Sequence, residues 1–333
     1  MSTLVSASRV ARQHPKGSKD HRNPTYFELI LPSRPAARTE KERVSTMGEL
    51  GIRWRAKKSA RLVMALFGGG RGFGAGWLGT GRVPSVRALT YHRIGTSKRD
   101  PFCVRPDDFA MHMKILAAEG RAVSLEQVER FLVGNEVLPE DACLVTIDDG
   151  MLSTLTEASP ILHEYNVPAV SYVSASLVGL KAQGDYGERY MSWGELRELA
   201  ASGLVTIGSH ANTHRSLGLM PLDEALAEAR RSRELLEEGL RQEVRSFAYP
   251  FGTWTDFNAD TDRAVLQAGY TTAFNSVHGA IRQGMAPVSL PRVKIEGGEA
   301  PFMFSRISRG ALDGWRVVDK YLWRLQRVRT EIS

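Results

Sequence analysis

From Arg87 onward, two kinds of apolar pattern take turns along the chain. Short runs rich in β-branched and aromatic residues predict strands at Ala88–His92, Cys143–Ile147, Ala169–Ser174, Val205–His210, Ser246–Pro250, Thr271–Asn275 and Leu290–Ile295. Longer segments, whose apolar residues recur every three or four positions, predict helices at Pro106–Glu119, Leu125–Val133, Met151–Tyr165, Ser192–Ala201, Pro221–Leu240 and Ala259–Ala268. Gly203 and Gly269 follow two of these helices, where a left-handed terminal residue favours glycine. Strands alternating with helices in this way call for a parallel sheet, either doubly wound or closed into a barrel.

The polar residues separate the two architectures. His92, Asp148 with Asp149, His210, Tyr249 and Asn275 all fall at the C-terminal ends of different predicted strands. A (β/α) barrel gathers its active site at that rim, so the barrel is favoured.

The same residues suggest a chemistry. Asp148 and Asp149 are adjacent carboxylates that repel unless something cationic neutralises them, and His210 and His214 are spaced to converge on one divalent metal. One Asp and two His make three protein ligands and leave metal positions for water and substrate, as a hydrolytic site requires. Such a donor set suits Zn2+, and Co2+ or Ni2+ would also bind it. The carboxylate left over is placed to take a proton from water.

The segments Thr146-Ile147-Asp148-Asp149-Gly150 and His210-Ala211-Asn212-Thr213-His214 resemble the first two motifs of the polysaccharide deacetylases, the NodB-homology family of carbohydrate esterases. The likeness covers roughly Val86 to Glu299. It implies a deformed barrel of seven strands, with Asp148 as catalytic base and Asp149, His210 and His214 as metal ligands. Phe247-Ala248-Tyr249-Pro250-Phe251-Gly252 resembles the third motif, a groove wall in which the Phe251 N–H would help hold the oxyanion. Ala248 stands where the family often has the Arg that orients the catalytic Asp, and Arg292 is the candidate to replace it. The late histidine that protonates the leaving amine in many members is missing from Ser289-Leu290-Pro291-Arg292-Val293. His92, on the first strand, is the favoured substitute, because closing a barrel sets its first and last strands side by side. That permuted order resembles the deacetylases acting on poly-N-acetylglucosamine. Trp254, on the loop after Pro250, is the better candidate for stacking on a sugar ring; Trp193 reads as a core anchor. His278 is a poorer candidate for the acid, and His112 and His163 read as structural.

Composition adds an uneven charge. Residues 1–87 carry 17 Lys+Arg against 5 Asp+Glu, so the formal +7 of the 333-residue chain belongs to this segment and the rest is net negative. Residues 1–84 are expected to form a basic, largely irregular arm, with Gly68–Gly76 as linker rather than phosphate loop, since no Gly-Lys-Ser/Thr ending follows. Residues 85–304 are expected to be the barrel, and 305–333 a final helix packed on it. The arm suits an anionic membrane surface, and nucleic acid is a disfavoured partner. No secretory signal or membrane-spanning run is evident, which favours a cytoplasmic or membrane-peripheral location, and two cysteines give no disulfide framework.

These readings point to a metal-dependent hydrolase that removes N-acetyl groups from sugars of a polysaccharide. A non-sugar C–N amidohydrolase on the same barrel, or a catalytically silent carbohydrate-binding barrel, are the alternatives.

Overall fold

Seven parallel strands make the frame, in the order β10-β1-β4-β5-β6-β7-β8. They are β1 (Ser85–Tyr91), β4 (Ala142–Ile147), β5 (Ala169–Val173), β6 (Val205–Ser209), β7 (Ser246–Ala248), β8 (Thr272–Phe274) and β10 (Arg292–Lys294), which are the seven runs expected. The computed structural model describes residues 56–66, 84–96, 100–182 and 188–321, all within a unit that begins at Leu50. Residues 1–55 and the glycine-rich stretch lie outside the described residues.

The segment around β10 closes the sheet. Leu290 bridges Phe274 of β8, and two residues later Arg292–Lys294 pair with Ala88–Thr90 of β1. Pro291, which has no N–H to give either neighbour, sits between the two pairings. The result is the deformed barrel. Short β9 (Ile281–Arg282) runs antiparallel to the start of β1, and β2 (Arg93–Ile94) pairs with β3 (Cys103–Val104) outside the barrel.

Alternate strand residues fall on opposite faces, so the core divides in two. Leu89, Tyr91, Val145, Ile147, Ile207, Phe247 and Val293 belong to the larger cluster, shared with the helices. Ala88, Leu144, Val170, Tyr172, Ala248, Phe274 and Leu290 belong to the lumen cluster, and helix α3 (Leu125–Leu132) adds Leu125, Val128, Phe131 and Leu132 to it. Extending the lumen-facing alternation of β4 by two residues from Thr146 reaches Asp148; extending that of β6 from Gly208 reaches His210. Strand parity thus delivers both side chains to the interior of the rim.

The other helices are α2 (Pro106–Ala118), α4 (Ser159–Tyr165), α5 (Trp193–Ala201), α6 (Leu222–Leu240), α7 (Ala259–Gln267), α8 (Pro301–Ile307) and α9 (Arg316–Tyr321). Three expectations need amending. The helix expected from Met151 becomes regular only at Ser159, after a π turn at Thr154–Ala158. Met151 is held in a bridge to Tyr190, and the Ser153 N–H is taken by Glu188, so the start of the segment is pulled toward the 188–191 loop. Of the helix expected over 305–333, residues 322–333 lie outside the described residues; the described part holds the end of α8 and α9, separated by a turn in which Gly310 has φ +92°, a left-handed conformation that interrupts the helix. Within the expected irregular arm, residues 56–66 are helical (α1). Among the described residues no helix is long and apolar enough to cross a membrane.

Candidate active site

The turn after β4 sets the first two groups. Asp149 and Gly150 both have positive φ, +74° and +73°, which folds the chain sharply at the strand end. A Cβ on Gly150 would also lie 3.1 Å from the Val173 side chain, so this position needs glycine twice over. Asp148 and Asp149 consequently face different neighbours.

Asp148 is buried and gripped by Arg292. Nη1 donates to Oδ1 at 2.7 Å and Nη2 to Oδ2 at 2.8 Å, a bidentate pairing. Arg292 is itself fully buried, donating through Nε to the Asn275 carbonyl at 2.8 Å and reaching Thr146 Oγ1 and Ser276 Oγ. Burial acts to raise the pKa of Asp148, but the charges of Arg292, His210 and His92 outweigh it and hold the carboxyl below its ordinary value. Asp148 is therefore an oriented, ionised carboxylate.

Asp149 faces the imidazoles. Its Oδ1 lies 3.3 Å from His214 Nε2 and 3.7 Å from His210 Nε2, and one ligand atom from each of the three residues falls within 4.8 Å of the others. His210 Nδ1 lies 2.7 Å from the Ala248 carbonyl. A carbonyl can only accept, so Nδ1 carries the proton and the Nε2 lone pair is left for a metal. The donor set fits a divalent ion. Burial lowers the pKa of His210 to about 4, whereas for His214 the hydrogen bond and charge of Asp149 overcome burial and raise it.

These shifts predict how protons compete with a metal. Above about pH 4 a metal displaces no proton from His210, but it must displace one from His214 wherever that ring is protonated. The apparent dissociation constant should rise about tenfold per pH unit below the His214 pKa, with a slope of one proton. Titration against a chromophoric chelator across this range checks it; a two-proton slope near neutrality would contradict the assignment.

His92 follows β1, and its charge is felt by both Asp148 and Asp149. Its Nδ1 is buried without a hydrogen-bond partner, and its ring packs 4.9 Å from that of Phe102. Phe251 borders the site from the other side: the residue is 54% exposed and its ring lies 5.1 Å from that of His214. Its φ of +61° makes the turn after buried Pro250 a tight one. No hydrogen bond among the described residues takes up the Phe251 N–H.

Two expected groove residues lie elsewhere. Tyr249 is fully buried, with its hydroxyl donating to Asp262 Oδ1 at 2.6 Å and its ring between Phe247 and Phe257. It props the rim from beneath and cannot line an open groove. The Trp254 ring stacks 5.9 Å from Phe257 and carries the Arg316 guanidinium 5.8 Å away. It borders a side cavity of about 330 Å3 with Asn275, His278, Arg282 and Met285, a cavity whose lining includes none of the Asp and His groups above. Trp193 packs on α6, where a Cβ on Gly239 would meet its ring at 2.3 Å. Buried His112 stacks on Phe304, and His163 bonds the Ser159 and Ser202 carbonyls.

Two residues escaped the sequence reading. Glu228, nearly buried on α6, accepts from the Thr213 N–H and hydroxyl, both at 2.9 Å, and so braces the loop between the two histidines. Its signal is a carboxylate within the inward row Ala225, Ala229 and Ser232. Tyr190 stands near Asp149, whose charge adds to burial in raising the phenol pKa.

A family model described as polysaccharide deacetylase matches residues 135–273. YxkH of Bacillus subtilis (strain 168) is 25% identical over 225 residues, spanning 67% of this chain and 75% of that protein. The poly-beta-1,6-N-acetyl-D-glucosamine N-deacetylase of Escherichia coli (strain K12) is 32% identical over 139 residues, which are 38% of this chain and 21% of that much longer relative. Among solved structures, IcaB from Ammonifex degensii aligns with a TM-score of 0.61 at 29% identity, over 69% of this chain and 98% of that one.

Proposed function

We propose that this chain, whose residues 135–273 match the family model described as polysaccharide deacetylase, hydrolyses the N-acetyl groups of a polysaccharide built from N-acetylated sugars, releasing acetate and leaving free amines. The observation that carries this reading is one cluster in which Asp149, His210 and His214 converge while Asp148, beside them, is committed to Arg292.

Asp149, His210 and His214 would hold a divalent ion, with zinc the best match to a carboxylate and two imidazoles and cobalt or nickel next. Such an ion would supply Lewis acidity to the amide carbonyl and make a water acidic enough for a carboxylate to deprotonate. Asp148 takes the proton of the attacking water. Arg292 keeps that carboxylate ionised and aimed, so no reorientation precedes proton transfer. The Phe251 N–H donates to the oxygen that gains negative charge. His92 gives a proton to the nitrogen as the C–N bond breaks; without it the nitrogen would have to leave as an amide anion, a poorer leaving group than hydroxide, and the intermediate would revert to the amide.

The name of the Escherichia coli relative supports a β-1,6-linked N-acetylglucosamine polymer as substrate. Residues 1–55, with 11 Lys+Arg against 5 Asp+Glu, favour a contact between this segment and an anionic membrane surface. Acetate release from β-1,6- and β-1,4-linked N-acetylglucosamine oligomers, by protein supplied in turn with zinc, cobalt and nickel, tests the activity. One new amine per acetate is expected; no acetate from either series with any of the metals would refute it.

A further inference from the structure

Helix α1 turns an ionised residue inward and an aliphatic patch outward. Its ionised side chains point into the protein: Arg61, 1% exposed, donates to Glu299 at 2.6 Å and to the Lys294 carbonyl at 2.8 Å. Lys57 pairs with Glu296 at 2.5 Å, and Lys58 donates to the Gly297 carbonyl. Ala65 is buried and Met64 half-buried against the core, but three apolar residues point out, Leu62 36%, Val63 54% and Leu66 48% exposed, with no charged residue among them. A helix on an ordinary protein surface has the opposite polarity.

Helix α9 likewise turns one ionised side chain inward and apolar ones outward. Asp319 turns inward and accepts from the His278 N–H and Nδ1, both at 2.8 Å, while His278 Nε2 lies 3.4 Å from Arg61. The two helices thus meet at one buried polar cluster. Outward, α9 offers Val317 and Tyr321 beside Arg316 and Lys320. Among the described residues of both helices no carboxylate is exposed. Exposing these apolar side chains leaves apolar surface in water on both helices, which is stable against a second apolar phase.

We propose that the outward faces of α1 and α9 rest in the interfacial layer of an anionic lipid bilayer, with Leu62, Val63, Leu66, Val317 and Tyr321 among the acyl chains and Arg316 and Lys320 at the headgroups. The apolar side chains call for a lipid phase, and the cations without exposed acids call for negative headgroups. This extends the electrostatic contact proposed for the basic segment by adding an apolar seat.

Co-sedimentation of the full chain with vesicles of phosphatidylglycerol and phosphatidylcholine, and of phosphatidylcholine alone, tests it at low and high salt. The wild type should prefer the anionic vesicles and keep part of its binding at high salt, because apolar insertion is not screened. The triple variant L62S/V63S/L66S should bind about tenfold more weakly or worse at both salt levels, with unchanged acetate release from short soluble oligomers. Val63→Trp, which leaves the inward face alone, should bind more tightly. Undiminished vesicle binding by the triple variant, or its loss of a dimer that the wild type forms without lipid, would overturn the apolar seat. Absence of any salt dependence would count instead against the basic segment's contact.

Discussion

Asp148→Asn should lower the turnover number for acetate release by about 10³-fold, the scale expected when a positioned proton acceptor is lost. The amide has nearly the shape of the carboxylate but cannot take a proton from water. Asp149, His210 and His214 are untouched, so the variant should bind metal as the wild type does, and metal content measured on the purified protein separates a lost base from a lost ligand. The change also leaves Arg292 a buried cation without its counter-charge. Removing one partner of such a pair costs about 3–5 kcal/mol, and the asparagine carbonyl, still able to accept one bond, should keep the loss toward the lower end. Activity within tenfold of wild type, in protein with full metal content, would remove Asp148 from the role of base.

Arg292→Met should show the second large effect, from the other side of the same pair. In the wild type, burial pushes the Asp148 pKa up and Arg292 pulls it down, and the guanidinium prevails. Without it burial wins, and the carboxyl is protonated at pH values where the wild type is ionised. The acidic limb of the profile of kcat/KM against pH should therefore move to higher pH, and activity at pH 6 should fall more than at pH 9. Stability follows the same logic. A depressed folded-state pKa stabilises the wild type above the ordinary carboxylate pKa, and this is lost as pH falls through the depressed value. In Arg292→Met the folded-state pKa is raised, so protonation favours the folded form. The gap in melting temperature between the two proteins should be wide near neutrality, for a loss of about 3–5 kcal/mol, and should narrow with acid. Arg292→Lys, which keeps charge but loses the planar fork, should fall between them. An unmoved acidic limb in Arg292→Met would mean that Arg292 does not tune Asp148.

Much of the frame was legible because strand and helix periods differ and each run obeyed its own. The seven staves fall within apolar runs whose alternate residues can be assigned to lumen or outer layer, and the polar residues that break the pattern do so at the ends. Residues whose partners are distant in sequence were harder to place. Nothing local in Phe247-Ala248-Tyr249-Pro250 shows that the Tyr249 hydroxyl goes to Asp262 on α7, which turns a wall residue into a prop. Glu228 braces the histidine loop through a contact spanning 15 residues. Helix α1 was missed for a stronger reason: pattern reading assumes that apolar residues point inward, and in residues 56–66 Arg61 is buried and Lys57 and Lys58 half-buried while Leu62, Val63 and Leu66 are exposed. The reversal hides the helix and also marks it as a membrane-facing candidate.

The stave carrying Arg292 also has a consequence for biosynthesis. Asp148 and its guanidinium partner are 144 residues apart, and the strand bearing the latter is the last of the seven to leave the ribosome. A nascent chain that has paired β1 with β4 through β8 still holds a buried carboxylate without its cation and a barrel with one seam open. Pairing of the Asp148 carboxylate and closure of the seam are then a single late event, so a polypeptide truncated before residue 292 would be left with neither.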